Sequence, residues 1–546
     1  MHVSQWGLRL PWRIGSLALV CLLSLFLTPQ AHAIMGDNIG VDPAAMAMGN
    51  AVTADPPGIN SIHFNPAGLA RLPTGKFKTD TLVIAGIQTE EHYRSAPDMD
   101  IGGFTNDPLN ETASGRVKHH LYIPGFGMLP WKLPVLAAGN LGFSFNKEGS
   151  PFTFGTTTYA PFIMSLDRTE DPDDPSRFMG KVVHMQRLVY LSPAVGYKYS
   201  DTLRFGVAVP IAHQAIVIET DMRMPNKLLG ITGSLQKGFC GEEGKPNVID
   251  TFTVGLCGGG KDGMLDPFKK VANMSMELTT PFDPTLNLGV LWEPTKSFGV
   301  GLSYQGGSNT VYHGRYSFKA EPMIRAFVQG LNSSLLGPMI GGIAGLPQHI
   351  PAIQSGNVVA TIPFPDKWQL GFKVRPTDKL QLNMDVSYTD WAKWDAFQFK
   401  FDQDIYMLQM ARMFGVADST QVTMNQGLKN VFSFGYGVQY DVTPKLSLRF
   451  GYEPRKSSIP LNQITVLAPL PDTVVKSIGA RIKLEKDTEI NLAFSYMTGS
   501  YNVPARSNCN LNCDHFFNIV YNPYAAMDVD GAITIRYFGA SLTHRF

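Results

Sequence analysis

From about residue 280 to the end of the chain, hydrophobic side chains fall on every second position, and no other feature limits the fold so tightly. Leu286, Leu288, Val290 and Trp292 share one face, with Asn287, Gly289 and Glu293 on the other. Phe298, Val300, Leu302 and Tyr304 alternate with Gly299, Gly301, Ser303 and Gln305, and the stretches from Trp368 to Arg375 and from Leu380 to Tyr388 repeat the pattern. So do Phe432 to Tyr440, Leu446 to Tyr452, Ile478 to Leu484 and Ile490 to Tyr496. Period two means strands with one apolar and one polar face. Short turns at 294–296, 376–379, 442–445 and 485–488, with another at 200–202, are separated by long connections. Turns short at one end and loops long at the other are the mark of a transmembrane barrel. The coarse strands are 76–88, 117–128, 138–147, 183–199, 203–219, 283–294, 297–310, 364–375, 380–391, 430–441, 445–453, 474–485, 488–498 and 533–546. Their number is fourteen, and an even number leaves both chain ends on one side.

The amino-terminal residues indicate export. Arg9 and Arg13 precede an apolar run from Ile14 to Leu27, and Ala31-His32-Ala33 offers a cleavage point before Ile34. That is the layout of a secretory signal peptide, shorter than the ~20 apolar residues a spanning helix needs. The best later candidate for a spanning helix, Leu335 to Leu346, is interrupted by Pro338 and several glycines. Charged residues make up 17% of the chain, against roughly 25% in soluble domains. With 46 basic and 45 acidic side chains there is no field of one sign to draw nucleic acid. The 53 Gly, 33 Phe, 19 Tyr and 7 Trp suit strands, turns and membrane interfaces. In lipid only helices and closed barrels satisfy every backbone polar group. The last strand alternates Phe538, Ala540, Leu542, His544 and Phe546 and ends on an aromatic, as outer-membrane barrels commonly do. The expectation is an all-β, antiparallel transmembrane barrel of about fourteen strands in the bacterial outer membrane. A soluble exported β protein is the alternative.

Fourteen strands use only ~126 to 154 residues within the membrane. Residues 34–75, rich in Gly, Ala, Asn and Pro and without alternation, come before the first strand and are free to fold into the lumen as a plug. The predicted organisation is a signal peptide over 1–33, an amino-terminal hatch over 34–75 and the barrel with long extracellular loops over 76–546.

At this point particular residues resemble a known family. Ala47-Met48-Gly49-Asn50-Ala51, followed by Asn65-Pro66-Ala67-Gly68-Leu69-Ala70, resembles the hatch of the FadL family of outer-membrane transporters of long-chain fatty acids and related hydrophobic compounds. Ile362-Pro363, Trp368, Gly371, Tyr388-Thr389-Asp390-Trp391, Pro471-Asp472, Gly479, Ser495-Tyr496-Met497 and the final Arg545-Phe546 continue the likeness over nearly the whole mature chain. The resemblance implies passive, hatch-gated uptake of long-chain fatty acids or similar compounds, without a cofactor, with lateral release through an irregular strand. It places gating on Asn65, Pro66 and Ala67. The chain departs from the family at Gln398, where the basic position expected after Trp391 falls.

The residues themselves suggest where substrate is met. Met323, Phe327, Leu331, Leu335, Leu336, Met339, Ile340, Ile343, Leu346 and Ile353 lie in one long extracellular connection. Exposed apolar loops of that size mark a capture surface, or they pack together as a cap. Lys373, Arg375, Arg449 and Arg481, with Lys483 and Arg536, are assigned to polar strand faces and are candidate anchors for a carboxylate headgroup. The bland reading pairs them with acids such as Asp385 or Glu489. Cys240 with Cys257, and Cys509 with Cys513, share loops in an oxidising compartment and are expected to form disulfides, with no metal. Gly258 to Gly263 matches G-x-G-x-x-G but opens no helix, and the acidic run Asp167 to Asp174 reads as a solvated loop. The expected partners are a hydrophobic small molecule, lipopolysaccharide and membrane lipid, and the barrel-assembly machinery, with the chain a monomer. An aqueous porin and an outer-membrane lipid-active enzyme are the competing functions.

Overall fold

The computed structural model describes residue 38 and residues 40–241, 243–245, 248–343, 345–412, 418–467, 469–485, 487–516 and 521–546. The expected signal peptide lies outside them. Fourteen wall strands follow one another in antiparallel order, and the ring closes where the first pairs with both the second and the last. In chain order they are β1 (Gly75–Ser95), β2 (Leu136–Asn146), β3 (Phe152–Thr157 and Tyr159–Asp167), β4 (Val182–Leu191 and Ala194–Lys198), β5 (Leu203–Ala208 and Ile211–Arg223), β6 (Lys270–Pro284 and Asn287–Thr295) and β7 (Phe298–Gln305 and Ser308–Ala320). Then come β8 (Ile353–Phe364 and Lys367–Val374), β9 (Leu380–Thr389 and Ala396–Phe401), β10 (Gln421–Asn425 and Val431–Thr443), β11 (Leu446–Arg455), β12 (Thr473–Glu485), β13 (Thr488–Val503) and β14 (Met527–Arg545).

Strands β3 to β10 are each in two parts, and their outer halves form a separate eight-stranded sheet above the closed ring. The sequence explains several of the breaks. Pro193, Pro210 and Pro365 cannot donate a ladder hydrogen bond, and Gly306-Gly307 interrupts β7. Below the breaks the outward faces carry a belt of exposed apolar side chains, among them Phe205, Val207, Leu288, Leu302, Leu370, Phe450 and Phe538. Trp368, Tyr388, Phe432 and Tyr452 ring its upper edge, where amphipathic aromatics favour the membrane interface.

Two expectations need correction. Residues 117–128 are not a wall strand: Pro124 and the positive-φ Gly125 and Gly127 fold 119–133 into a hairpin outside the ring. The missing wall strand is β3, hidden because Thr158 and Pro161 interrupt its alternation. The acidic run at 167–174 is not simply solvated either. Asp167 and Asp174 are both 1% exposed. Asp167 is paired with His120 at 2.5 Å, and Asp174 accepts from the Gly115 and Ser176 amides.

Residues 40–72 lie inside the ring. Asp42 caps the short helix α1 (Pro43–Ala47) by accepting from the Ala44 and Ala45 amides at 2.7 and 3.1 Å. A second turn, α2 (Ser61–Phe64), leads into a 3-10 helix over Pro66–Arg71. Met46, Ala47, Ile59, Ile62, Phe64 and Leu69 are all buried.

Bare backbone on the wall makes room for this segment. Gly196, Gly206 and Gly289 are ladder neighbours, as are Gly301 and Gly371, and Gly437 and Gly451. With Gly435, Gly479 and Gly539 they form a hoop at one level. A Cβ on Gly206 would lie 2.1 Å from the Ala67 nitrogen, one on Gly301 2.0 Å from the Thr53 oxygen, and one on Gly451 2.1 Å from the Gly49 nitrogen. Such close backbone approach is open only to glycine.

Candidate functional site

Polar groups hold the segment where the glycines let it approach. On β9, the Asp385 carboxylate accepts from the Val52 and Thr53 amides at 3.0 and 2.8 Å. Asn383 donates to the Ala51 carbonyl at 2.8 Å. Asn65 donates through Nδ2 to the Thr53 carbonyl at 2.9 Å and to Val290 of the wall at 3.1 Å, while its Oδ1 accepts from the Ala67 amide at 3.2 Å. Pro66 and Ala67 sit directly against Gly206 and Gly289. The three residues singled out in the sequence thus meet the wall at one place. Replacing Asn65 by Ala leaves the buried Thr53 carbonyl without its side-chain donor and unties the segment from Val290 of the wall, at about 1–3 kcal/mol for the orphaned carbonyl. The expected outcome is normal barrel assembly, seen as heat-modifiable gel migration, with reduced uptake. Unchanged uptake would show that this turn does not control passage.

Under the segment, at the short-turn end, is a polar cavity of about 180 Å³ whose lining includes Asp55, Arg71, Gln439, Arg449, Arg481 and Glu489. Lys373, Arg375, Arg449 and Arg481 gather here and already have partners. Lys373 meets Glu293 at 2.5 Å and Asp55 at 3.5 Å, while Arg71 meets Asp55 at 2.7 Å. Arg375 and Arg481 share Asp441 at 2.7 and 3.4 Å, and Arg449 donates to Gln439 and Asn491. The acids are therefore Glu293, Asp55 and Asp441. Asp385 is engaged with the segment. Burial raises the Asp55 carboxyl, but Arg71 and Lys373 more than offset it and hold the group well below the usual carboxylate range. Its contribution to docking is present at neutral pH and is lost only as pH falls through that low value. Arg536 is not lumenal: it shares parity with Phe538 and lies over the outward ring of Tyr496, 5.7 Å from its centroid.

Directly above the segment is a polar pocket of about 20 Å³, roomy enough for little more than water. Lys367, Glu453 and Arg455 border it, with Asn50, Asp385 and Trp391. Arg455 is 2% exposed, pairs with Glu453 at 2.9 Å, and was not singled out in the sequence.

Higher still, the upper sheet bounds a chamber that is filled by a packed cluster of buried apolar side chains. Ile216, Ile218, Met276, Leu278, Tyr312, Phe318, Val358, Ile362 and Phe399 belong to it, with Met185, Met274, Trp394 and Phe397 packed against them. Methionine and aromatic side chains adapt to ligands of varied shape. Gln398 is exposed on the opposite face of β9 from Phe397 and Phe399.

Helices crown the chamber: α3 (Lys227–Cys240), α4 (Val248–Phe252), α5 (Pro322–Asn332) and α6 (Gly337–Ile343). Cys240 is bonded to Cys257, and Cys509 to Cys513. The 323–353 stretch divides. Met323, Ile324 and Val328 are buried in one cluster with Phe327 half-buried against them, and Leu331 is buried as well. Leu335, Met339 and Ile343 are 68, 58 and 84% exposed at helical spacing, with Leu336 beside them and Ile340 half-buried. The Thr253 carbonyl accepts from the Leu336 amide, which brings exposed Val248, Ile249 and Phe252 alongside.

One stretch of wall is incomplete. β2 begins at Leu136, opposite Ala85, so the outer half of β1 lacks a β2 partner just where β3 breaks at Thr158. An apolar pocket of about 50 Å³ lies there, lined by Val83, Ala85, Ile87, Leu136, Ala160, Phe162 and Met164, with Gly40, Leu470 and Tyr537 on its inner side.

A closed, lipid-belted barrel with a lumen filled by its own amino-terminal segment is an outer-membrane protein of the plugged transport type. The chain belongs to the outer membrane protein transport protein family (OMPP1/FadL/TodX), whose model matches residues 22–546. It is 21% identical over 213 residues to the long-chain fatty acid transport protein of Salmonella typhi, an alignment covering 39% of this chain and 42% of that protein. With the Escherichia coli K12 protein of the same name it is 22% identical over 213 residues, 39% and 41% of the two chains. The matched region thus spans about two fifths of those relatives. Among solved structures, a Pseudomonas aeruginosa FadL homologue superposes with a TM-score of 0.61 at 16% identity, covering 95% of this chain and all of that one. The Ralstonia pickettii toluene transporter TbuX gives 0.54 at 14% identity over 93% and 99%. The Pseudomonas putida toluene transporter TodX gives 0.56 at 12% over 93% and 99%. At these identities they establish the shared fold.

Proposed function

We propose that this protein takes up long-chain fatty acids or similar hydrophobic compounds by passive diffusion, gated by the lumenal segment and released sideways through the wall. The observation that carries this reading is the run of adjoining apolar clusters, from the exposed crown through the upper sheet to the pocket between β1 and β3, set beside a lumen that the segment fills. Capture begins at Leu335, Leu336, Met339 and Ile343, while Phe327, Leu331 and Ile340 support that surface from below. The names of the family and of the relatives point to transport of apolar molecules. Burial supplies the driving force, at ~0.8 kcal/mol per CH₂ removed from water. A polar end entering from above meets Lys367 and Arg455 before any of Lys373, Arg375, Arg449 and Arg481, which serve the underside of the segment. Movement of Asn65, Pro66 and Ala67 away from the wall is the gating step. Neither a cofactor nor a bond-breaking step is needed.

The test is uptake by cells lacking their own transporters and expressing this chain, offered labelled fatty acids, alkanes and alkylbenzenes. Leu335→Asp combined with Met339→Asp is expected to lower uptake of every apolar compound several-fold, since each exposed side chain loses ~1.5–3 kcal/mol of available burial. Both variants are on the surface, so assembly stays normal. If uptake of all compounds persists, the crown is a cap and capture lies elsewhere.

A further inference from the structure

The hairpin between β1 and β2, His119–Ile123 paired with Gly127–Leu133, lies against the outside of the upper sheet. Parity fixes the side. On β5, Ile216 and Ile218 face the chamber, so His213, Ala215 and Val217 face outward. Tyr122 packs on Ala215 and Val217, stacks on His184 and His213 with centroids 5.7 and 5.8 Å away, and donates to Glu277 Oε1 at 3.0 Å. The hairpin tip stands away from the wall, leaving Phe126 83% exposed. Between tip and sheet is an open groove of about 700 Å³, its apolar surface made by Tyr122, Pro124, Phe126, Tyr190 and Pro281.

Three observations converge on this groove. The groove has an aromatic floor, where His213 is 5% exposed and stacked under Tyr122 beside the exposed Tyr190 ring. His313 and Arg315 project from β7 at its rim, exposed and without an ion pair or hydrogen bond among the described residues. Glu277, the ladder neighbour of Arg315, is engaged by the Tyr122 hydroxyl instead. The groove also opens at the upper edge of the lipid belt. Exposed Tyr190, Leu191 and Phe282 continue downward into Leu286 and Leu288.

An acyl chain carried next to a phosphate satisfies all three, and the outer leaflet of an outer membrane supplies that combination. We propose that the groove holds one outer-leaflet phosphoglycolipid of the lipid A type. An acyl chain lies between Phe126 and the Tyr190 ring, and a phosphate accepts hydrogen bonds from Arg315 and His313. Arginine suits the phosphate because its planar fork donates two parallel hydrogen bonds. Bound lipid would fasten the hairpin to the wall beside the β1–β3 gap, since the hairpin already joins β3 through the Lys118–Asp167 bridge.

Native mass spectrometry of the detergent-purified full chain tests this, with diphosphoryl lipid A and phosphatidylethanolamine as probes. Wild type is expected to retain one lipid A per chain. Arg315→Glu with His313→Ala is expected to bind it about tenfold less tightly, the loss of one charge-assisted contact. Phe126→Ser, which removes only apolar contact, is expected to fall between them, and all three should keep heat-modifiable migration. Phosphatidylethanolamine should distinguish none of them. Equal retention of lipid A by wild type and the double variant, or equal retention of both lipids by wild type, would overturn the assignment.

Discussion

Gly206→Leu is expected to give a barrel that assembles normally and conducts ions. Its Cβ would fall 2.1 Å from both the Ala67 nitrogen and the Pro66 carbonyl carbon, backbone atoms that cannot yield like a side-chain tip. The wall itself loses nothing. Leucine is at least as compatible with a strand as glycine, and the β5 ladder to Gly196 and Gly289 uses main-chain groups only. The segment must leave the wall at the point where Asn65 also holds it. A lumen of fourteen strands without its filling is wide enough for water. Planar bilayers should show steady current for the variant and little for wild type. Gly86→Leu is the control, because a Cβ there has its nearest neighbour at 4.0 Å. Closed behaviour of Gly206→Leu would mean that the segment is retained by its other contacts, and a conducting wild type would favour an aqueous porin.

Ala160→Trp should do the opposite, abolishing uptake while leaving conductance low. Ala160 is 6% exposed and lines the apolar pocket between β1 and β3, whose volume of about 50 Å³ is smaller than an indole. Overpacking costs ~1–3 kcal/mol, within what a large barrel tolerates. No glycine of the hoop is touched, so the segment stays docked. Uptake of apolar compounds is expected to fall at least about tenfold, a change of ~1.4 kcal/mol in the exit barrier. Unaltered uptake would mean that release does not use this part of the wall.

The two variants separate what the alternation alone could reveal from what it could not. The lower halves of strands such as β8 and β9 are plain because their outward residues are apolar and their inward residues polar. β3 is not, since its inward face meets both segment and chamber and Thr158 breaks its run. The hairpin at 119–133 alternates as well as a wall strand does, because it too lies on an apolar surface. The upper halves of β6, β7 and β8 extend well beyond a membrane's thickness, so a count of spanning residues misses them. Glycines on the polar faces were visible throughout the sequence. Their meaning depends on another stretch of chain lying against them, and no local pattern carries that. The ionic partners are hidden for a similar reason: Lys373 meets Asp55 from 318 positions away only once the ring has closed. Arg536 was within reach, since its parity with Phe538 already placed it outside.

In the proposed mechanism, recognition rests on burying an apolar body, with any headgroup contact secondary. Binding of fatty acids of increasing chain length to purified protein, each beside its methyl ester, tests this most directly. Affinity is expected to rise with added CH₂ groups by up to ~0.8 kcal/mol each, with only a modest difference between acid and ester. Tight binding of short acids together with failure of esters and hydrocarbons to bind would contradict it.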